Sequence, residues 1–287
     1  MAISKLILNG VTQMDVTSTT ATVSDVASGK VFTQVDGATG TGTASGGGGA
    51  SVDDIAQNLE PSGAITLGSG VTIIYERAFS HKPISSIIAP SVTQVDGSAL
   101  EYTQITELTD VSFPSLTTLG IGCFENMKSL KRVYFTNNIN LAVLYIFRGA
   151  DNLKVFRLPN TTSATSQQLV GSAYELLIAD MGSVAKLSSN VFYRCRKMQT
   201  LILRSTALVG LDNITAFVDT PMRGYNSLTG TVYIPETLYN HLGDGTSLDY
   251  QAATNWSTIY ANGYLNFAKI EGSPYEQTDW DDSGFLT

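Results

Sequence analysis

Large apolar residues return along this chain at a spacing far longer than any helical period. From about residue 71, each unit carries a small or aliphatic residue followed by a large apolar one: Ala78-Phe79, Ala99-Leu100, Cys123-Phe124, Ile146-Phe147, Val191-Phe192 and Ala216-Phe217. A few residues later comes an apolar-x-x-apolar-x-apolar segment, as in Leu130-Lys-Arg-Val133-Tyr-Phe135, Leu153-Lys-Val-Phe156-Arg-Leu158 and Met198-Gln-Thr-Leu201-Ile-Leu203. Alternation of this length predicts a short strand with one face buried. Strand ends fall near 89, 113, 135, 158, 179, 203 and 234, often closed by proline (Pro90, Pro114, Pro159, Pro235). The weakest copy lies between 158 and 179, where Thr161 to Gln168 is polar and Ala173-Tyr174 stands for the apolar pair.

One short strand every 20 to 29 residues is the period of a leucine-rich-repeat solenoid. A single unit cannot bury its apolar face, but stacked units share a continuous core. The predicted fold is therefore a β-rich (α+β) leucine-rich-repeat solenoid of about six to seven turns of 21–24 residues, with a C-terminal cap, preceded by a small β-rich N-terminal segment. In each strand, alternate residues point away from the core. On the expected register these are Ser86 and Ile88, Asp110 and Ser112, Arg132 and Tyr134, Val155 and Arg157, Thr200 and Ile202, and Thr231 and Tyr233. This row mixes aromatic, basic and hydroxyl groups, suited to stacking and forked hydrogen bonds. Arg132, Tyr134, Arg157, Thr200 and Tyr233 are the candidate binding residues.

The remaining chain divides by pattern. Residues 1–44 contain short alternating runs, Lys5 to Val11, Ala21 to Val26 and Lys30 to Val35, with too few large apolar residues for an independent core. A partner or further copies are expected to complete this segment. Residues 45–52 hold four consecutive glycines and read as a flexible linker. A short helix is expected at 53–59, within a repeat domain spanning 53–235. Residues 236–270 read as the cap, with Trp256 packing inward, and 271–287 as a loosely ordered tail.

Composition narrows the chemistry. The net charge of -8 and the lack of any cluster of Lys and Arg argue against nucleic acid as a partner. No apolar run is long enough for a membrane span or for the core of a secretory signal. Cys123 and Cys195 are expected as two unpaired core thiols. His81 and His241 are 160 residues apart and read as surface residues. Asp279, Asp281 and Asp282 do not match a calcium-loop pattern. No catalytic or phosphate-loop motif occurs, so neither enzymatic activity, cofactor nor metal is expected.

The Ala-Phe-type pairs, the Leu-x-x-Val-x-Phe/Leu-Pro strands and the closing Tyr233-Ile-Pro-Glu…Tyr250-Gln-Ala-Ala-Thr-Asn-Trp-Ser257 resemble the BspA-like leucine-rich repeats of bacterial and phage surface proteins, over roughly residues 64–268. The opening Val23-Ser-Asp-Val-Ala-Ser-Gly-Lys-Val-Phe-Thr-Gln-Val-Asp-Gly37 resembles segments that begin tail and head fibre proteins of bacteriophages. The resemblance implies a structural fibre or adhesion protein on the virion surface, made in the bacterial cytoplasm without a signal peptide. Residues 1–44 would dock to other virion proteins as a homo-oligomer, a trimer in the first instance. The repeats would contact a bacterial surface glycan or protein. A decoration or head-fibre protein without a receptor role, and a bacterial surface adhesin, are the alternatives.

Overall fold

The structure is a computed structural model that describes residues 60–163 and 165–287, together with four short strands nearer the amino terminus. Those four are β1 (Lys5–Leu8), β2 (Val11–Asp15), β3 (Val31–Thr33) and β4 (Thr39–Thr41). β1 pairs with β2 and β3 with β4, both antiparallel. The chain divides into two compact units, Met1–Gly48 and Gly49–Thr287, each considered by itself. The helix expected at 53–59 lies outside the described residues.

The second unit is a parallel β-solenoid. Its strands are β5 (Ala64–Thr66), β6 (Ile73–Ile74), β7 (Ser86–Ile88), β8 (Gln94–Val95), β9 (Glu107–Thr109), β10 (Thr118–Leu119), β11 (Arg132–Tyr134), β12 (Val155–Arg157), β13 (Ile178–Asp180), β14 (Lys186–Leu187), β15 (Thr200–Ile202), β16 (Gly210–Leu211), β17 (Gly230–Ile234) and β18 (Leu265–Lys269). The principal sheet runs in the order β18-β17-β15-β13-β12-β11-β9, all parallel. Its inward column is Leu108, Val133, Phe156, Ala179, Leu201, Val232 and Phe267, which are register partners in succession. β5 and β7 pair in the same sense, with Ile65 opposite Ile87. The two-residue strands form narrower ladders, β10-β8-β6 and β14-β16.

The apolar pairs make the middle of the core. Phe79, Leu100, Phe124, Phe147, Phe192 and Phe217 are fully buried in one cluster. Phe124 stacks on Phe147 at 5.2 Å, and Phe192 on Phe217 at 5.7 Å. The pair expected at Ala173-Tyr174 is instead Leu169-Val170. The Phe147 N–H donates to the Leu169 carbonyl at 2.8 Å, and the Val170 N–H donates to the Val191 carbonyl at 3.1 Å. Valine replaces the ring at that level, which disguises the copy; Tyr174 is half-buried, beneath the Arg196 guanidinium.

Backbone geometry on this side of the turns follows a repeating pattern. Two positions before and two after the central apolar residue, φ is positive: Arg77 and His81 flank Phe79, Ser98 and Tyr102 flank Leu100, and Asn190 and Arg194 flank Phe192. N–H groups then alternate between the same turn and the next. The Ala78 N–H donates to Tyr75, that of Phe79 to Ala99, that of Ser80 to Arg77, and that of His81 to Glu101. Each stacked turn thus satisfies its backbone without a helix.

The register at the β9 turn differs from expectation. Asp110 and Ser112 are not the outward strand residues; Glu107 and Thr109 are. Thr109 to Phe113 closes a turn, with the Phe113 N–H donating to the Thr109 carbonyl at 2.9 Å, which returns Phe113 to the core two residues late. Val111 is left 76% exposed.

The C-terminal cap closes the last level with aromatic rings. Trp256 lies 5.7 Å from Phe217, and its Nε1–H donates to the Val209 carbonyl at 2.8 Å. The Val209 N–H in turn donates to the Tyr250 hydroxyl at 3.0 Å. These two bonds satisfy the open backbone at the end of the stack while the rings cover its apolar surface. Cys123 and Cys195 are buried and unpaired, and burial pushes both thiols up, far from ionisation at neutral pH. Among the described residues, no helix is long and apolar enough to cross a membrane.

Candidate binding face

On the principal sheet, outward residues should be polar if they face water. At β9, and at β5 and β7 of the separate two-stranded ladder, they are open: Thr66, Ser86, Ile88 and Glu107 are exposed. Further along the stack the alternation fails. All three residues of β12 and all three of β13 are buried. Val155, Ile178 and Ile202 point away from the main core, yet they form a second apolar cluster with Ile270 and Trp280. The C-terminal segment covers them.

This corrects two expectations. Residues 271–287 are not a loose tail, because Trp280 and Asp282 are buried against the sheet. Arg157 is not an exposed contact group either: it is 1% exposed. Its Nη1 donates to Asp282 Oδ2 at 2.8 Å and to the Trp280 carbonyl at 3.0 Å, and Nη2 donates to the Thr278 carbonyl at 2.5 Å. The guanidinium also lies between two rings, 4.0 Å from the Trp280 centroid and 4.2 Å from that of Tyr134. It points outward as its strand position demands; what the local pattern could not reveal is the segment laid across it.

The other candidates lie at the edges of the same seat. Arg132 is partly buried, and its Nε donates to Asp282 Oδ2 at 3.0 Å. Tyr134 is partly buried, and its phenol is raised above the ordinary range, chiefly by burial. Tyr233 packs edge-on against Tyr275 at 4.8 Å, and Tyr275 against Trp280 at 5.2 Å. Thr200 is partly buried, and its hydrogen bond with Tyr275 works against the burial that raises the Tyr275 phenol. The five residues are therefore brought to one face, which the chain's own end occupies.

Sequence reasoning missed Lys154 and Arg204. Arg204 grips Asp180 through both carboxylate oxygens, at 2.7–3.1 Å, while Asp180 is fully buried. The same guanidinium donates to the carbonyls of Tyr275 at 2.9 Å, Glu276 at 3.2 Å and Gln277 at 3.3 Å. Lys154 Nζ donates to the Thr287 carbonyl. The overlooked signal is the apolar outward residue at β12, β13 and β15, since a strand that is apolar on both faces implies a cover.

The seat holds a segment of turns ending in one helical turn, Ser283–Leu286, through paired cations and a wedge of aromatic rings. Nothing in it resembles a catalytic constellation. His81 is an exposed residue stacked on Tyr102 at 4.3 Å, and His241 meets only Asp244, at 2.7 Å. No group of three potential metal ligands gathers among the described residues.

Residues 57–174 match the model for the BspA type leucine rich repeat region, in six copies. The repeat ladder described above continues past that match. Similar solved structures include a leucine-rich repeat protein from Eubacterium ventriosum, 15% identical, with 56% of this chain and 44% of that one covered and a TM-score of 0.47. Another is from Bacteroides ovatus, at 14% identity, 71% and 60% coverage and a TM-score of 0.40. A leucine rich cell surface protein from Faecalibacterium prausnitzii is 13% identical, with 73% and 39% covered and a TM-score of 0.30. The chain thus spans less than two thirds of each of these proteins. No curated protein matches it. The second unit is a leucine-rich-repeat solenoid, and its residues 57–174 are similar to BspA-type repeats.

Proposed function

We propose that this chain is a non-enzymatic binding protein displayed on a surface, and specifically a bacteriophage fibre or adhesion protein. In this reading residues 1–44 dock to other virion proteins as a homo-oligomer, and the solenoid meets a bacterial surface glycan or protein. The observation that carries the binding role is the seat itself: Arg132, Arg157 and Arg204, with Tyr134 and Tyr233, hold a chain segment of turns and one helical turn on the outward sheet face. Solenoids offer long faces of this kind and bind through them. The virion placement is supported by the resemblance of the opening segment to fibre proteins. Copies clustered on a particle would multiply weak individual contacts.

Two measurements test the reading. Particles assembled with a chain lacking residues 1–44 should fail to incorporate it; incorporation at the full level would overturn the docking role. Purified full-length chain coupled to beads should adsorb to host cells and compete with particles for them. Absence of both adsorption and competition would favour a decoration protein. Adsorption by a chain found on cells and never in particles would favour a bacterial adhesin.

A further inference from the structure

The C-terminal segment sits on its sheet as a ligand sits in a site. Its backbone is read by cations rather than by sheet hydrogen bonds: Arg157 takes the carbonyls of Thr278 and Trp280, and Arg204 those of Tyr275, Glu276 and Gln277. Trp280 fills the apolar depression made by Val155, Ile178 and Ile202, with Ile270 beside it and Tyr275, Phe285 and Leu286 packed around it. A single acid, Asp282, closes the contact with Arg157 and Arg132. The seat is basic and the occupant acidic, with Glu271, Glu276, Asp279, Asp281 and Asp282 in seventeen residues. The join to β18 runs through an exposed turn in which Gly272 has positive φ and open space around it.

The fit is also incomplete. Arg157 Nε and Trp280 Nε1 are buried and donate no hydrogen bond. An unpaired buried donor weakens a contact, and so does a buried ion pair, whose attraction is largely offset by desolvation. A competing segment that placed an acceptor opposite Arg157 Nε would bind this face more tightly than the resident one.

From this arrangement we infer that the outward face of β11–β17 is a receptor site for an acidic polypeptide segment carrying an aromatic residue two positions before an acid, and that residues 273–287 are its built-in, displaceable occupant. The inference rests on the binding role proposed above and names the partner's chemistry. In the resting chain the occupant shields the apolar seat from water. A competing segment of the same character displaces it, so that the site opens only to ligands that satisfy both the ring pocket and the Arg132–Arg157 pair.

The test keeps the full chain. A specific protease site inserted between Gly272 and Ser273 is cut after folding, leaving residues 273–287 held by contact alone. The nicked protein is mixed with excess fluorescent peptide of the 273–287 sequence, and exchange is followed by anisotropy with the melting profile recorded in parallel. Exchange is expected with the melting profile of the solenoid retained, and peptides carrying Trp280→Ala or Asp282→Asn should bind at least about tenfold more weakly, the effect of losing one good contact. Arg157→Lys in the protein should weaken the parent peptide and narrow its advantage over the Trp280→Ala peptide, because the guanidinium stacks on the Trp280 ring. The inference is overturned if the nicked segment leaves only when the solenoid unfolds, if the variant peptides exchange as well as the parent, or if label is recovered only in a dimer, which would assign the seat to the end of a second copy. No outcome depends on cells or particles, so failure here is separate from failure of the adsorption assay.

Discussion

Replacing Phe147 with alanine removes a ring held between fixed neighbours. It is 1% exposed, stacked at 5.2 Å and 16° on Phe124, and set edge-on to Phe156 at 5.3 Å and 72°. The turns above and below are tied to it by backbone bonds, so the cavity cannot close by collapse. A buried Phe→Ala change of this kind costs about 3–5 kcal/mol. Of that, about 0.5–1.5 kcal/mol per ring pair belongs to the oriented aromatic contacts. Phe147→Leu should cost far less, because Leu100 already occupies the equivalent place two levels away. Urea unfolding of the full chain, followed by circular dichroism, reads the difference, with Val111→Ala as an exposed control. A Phe147→Ala loss within about 0.5 kcal/mol of that control, the range of ordinary surface changes, would refute a shared ring core.

Other expectations follow from particular contacts. A Cβ on Gly120 would lie 2.4 Å from the Gly97 nitrogen and 2.5 Å from the Asp96 carbonyl carbon, so Gly120→Ala should force adjacent turns apart at a cost of about 1–3 kcal/mol or more, seen as a lower urea midpoint. Iodoacetamide at pH 8 should leave Cys123 and Cys195 unmodified in the folded chain and alkylate both in denaturant, because burial raises the two thiols and closes access; rapid native labelling would contradict their placement. Asp180→Asn should loosen the segment's hold through Arg204 and, because the carboxylate is fully buried and also accepts from the Gly182 N–H, lower the urea midpoint of the ladder as well as increase protease cleavage after Glu276.

The ladder was legible in the sequence because each turn needs one large apolar residue at a fixed place, and Phe79, Phe124, Phe147 and Phe192 announce it. Two errors of register have local causes. Val170 occupies a level where a ring was sought, and the polar run from Thr161 drew attention to Ala173-Tyr174 four residues later. At β9, a turn hidden in Thr109 to Phe113 shifts the outward pair to Glu107 and Thr109. The cap residue Trp256 was readable as an inward aromatic. The covered face was not, because Arg157 meets Thr278, Trp280 and Asp282 across more than 120 residues and no local pattern encodes that pairing. Outward Val155, Ile178 and Ile202 were the only local hint. Arg132, Tyr134, Thr200 and Tyr233 lie on one side of the solenoid, where their neighbour is the chain's own end.

Coverage of the sheet by that end is the central physical claim, and the chain's two tryptophans report on it directly. Both Trp256 and Trp280 are shielded, one in the cap and one in the seat. Acrylamide quenching of the native full-length protein should therefore reveal two poorly accessible indoles and no component quenched like free tryptophan. A freely quenched component carrying roughly half of the emission, abolished by Trp280→Phe, would show the segment to be detached from the face and would contradict the account.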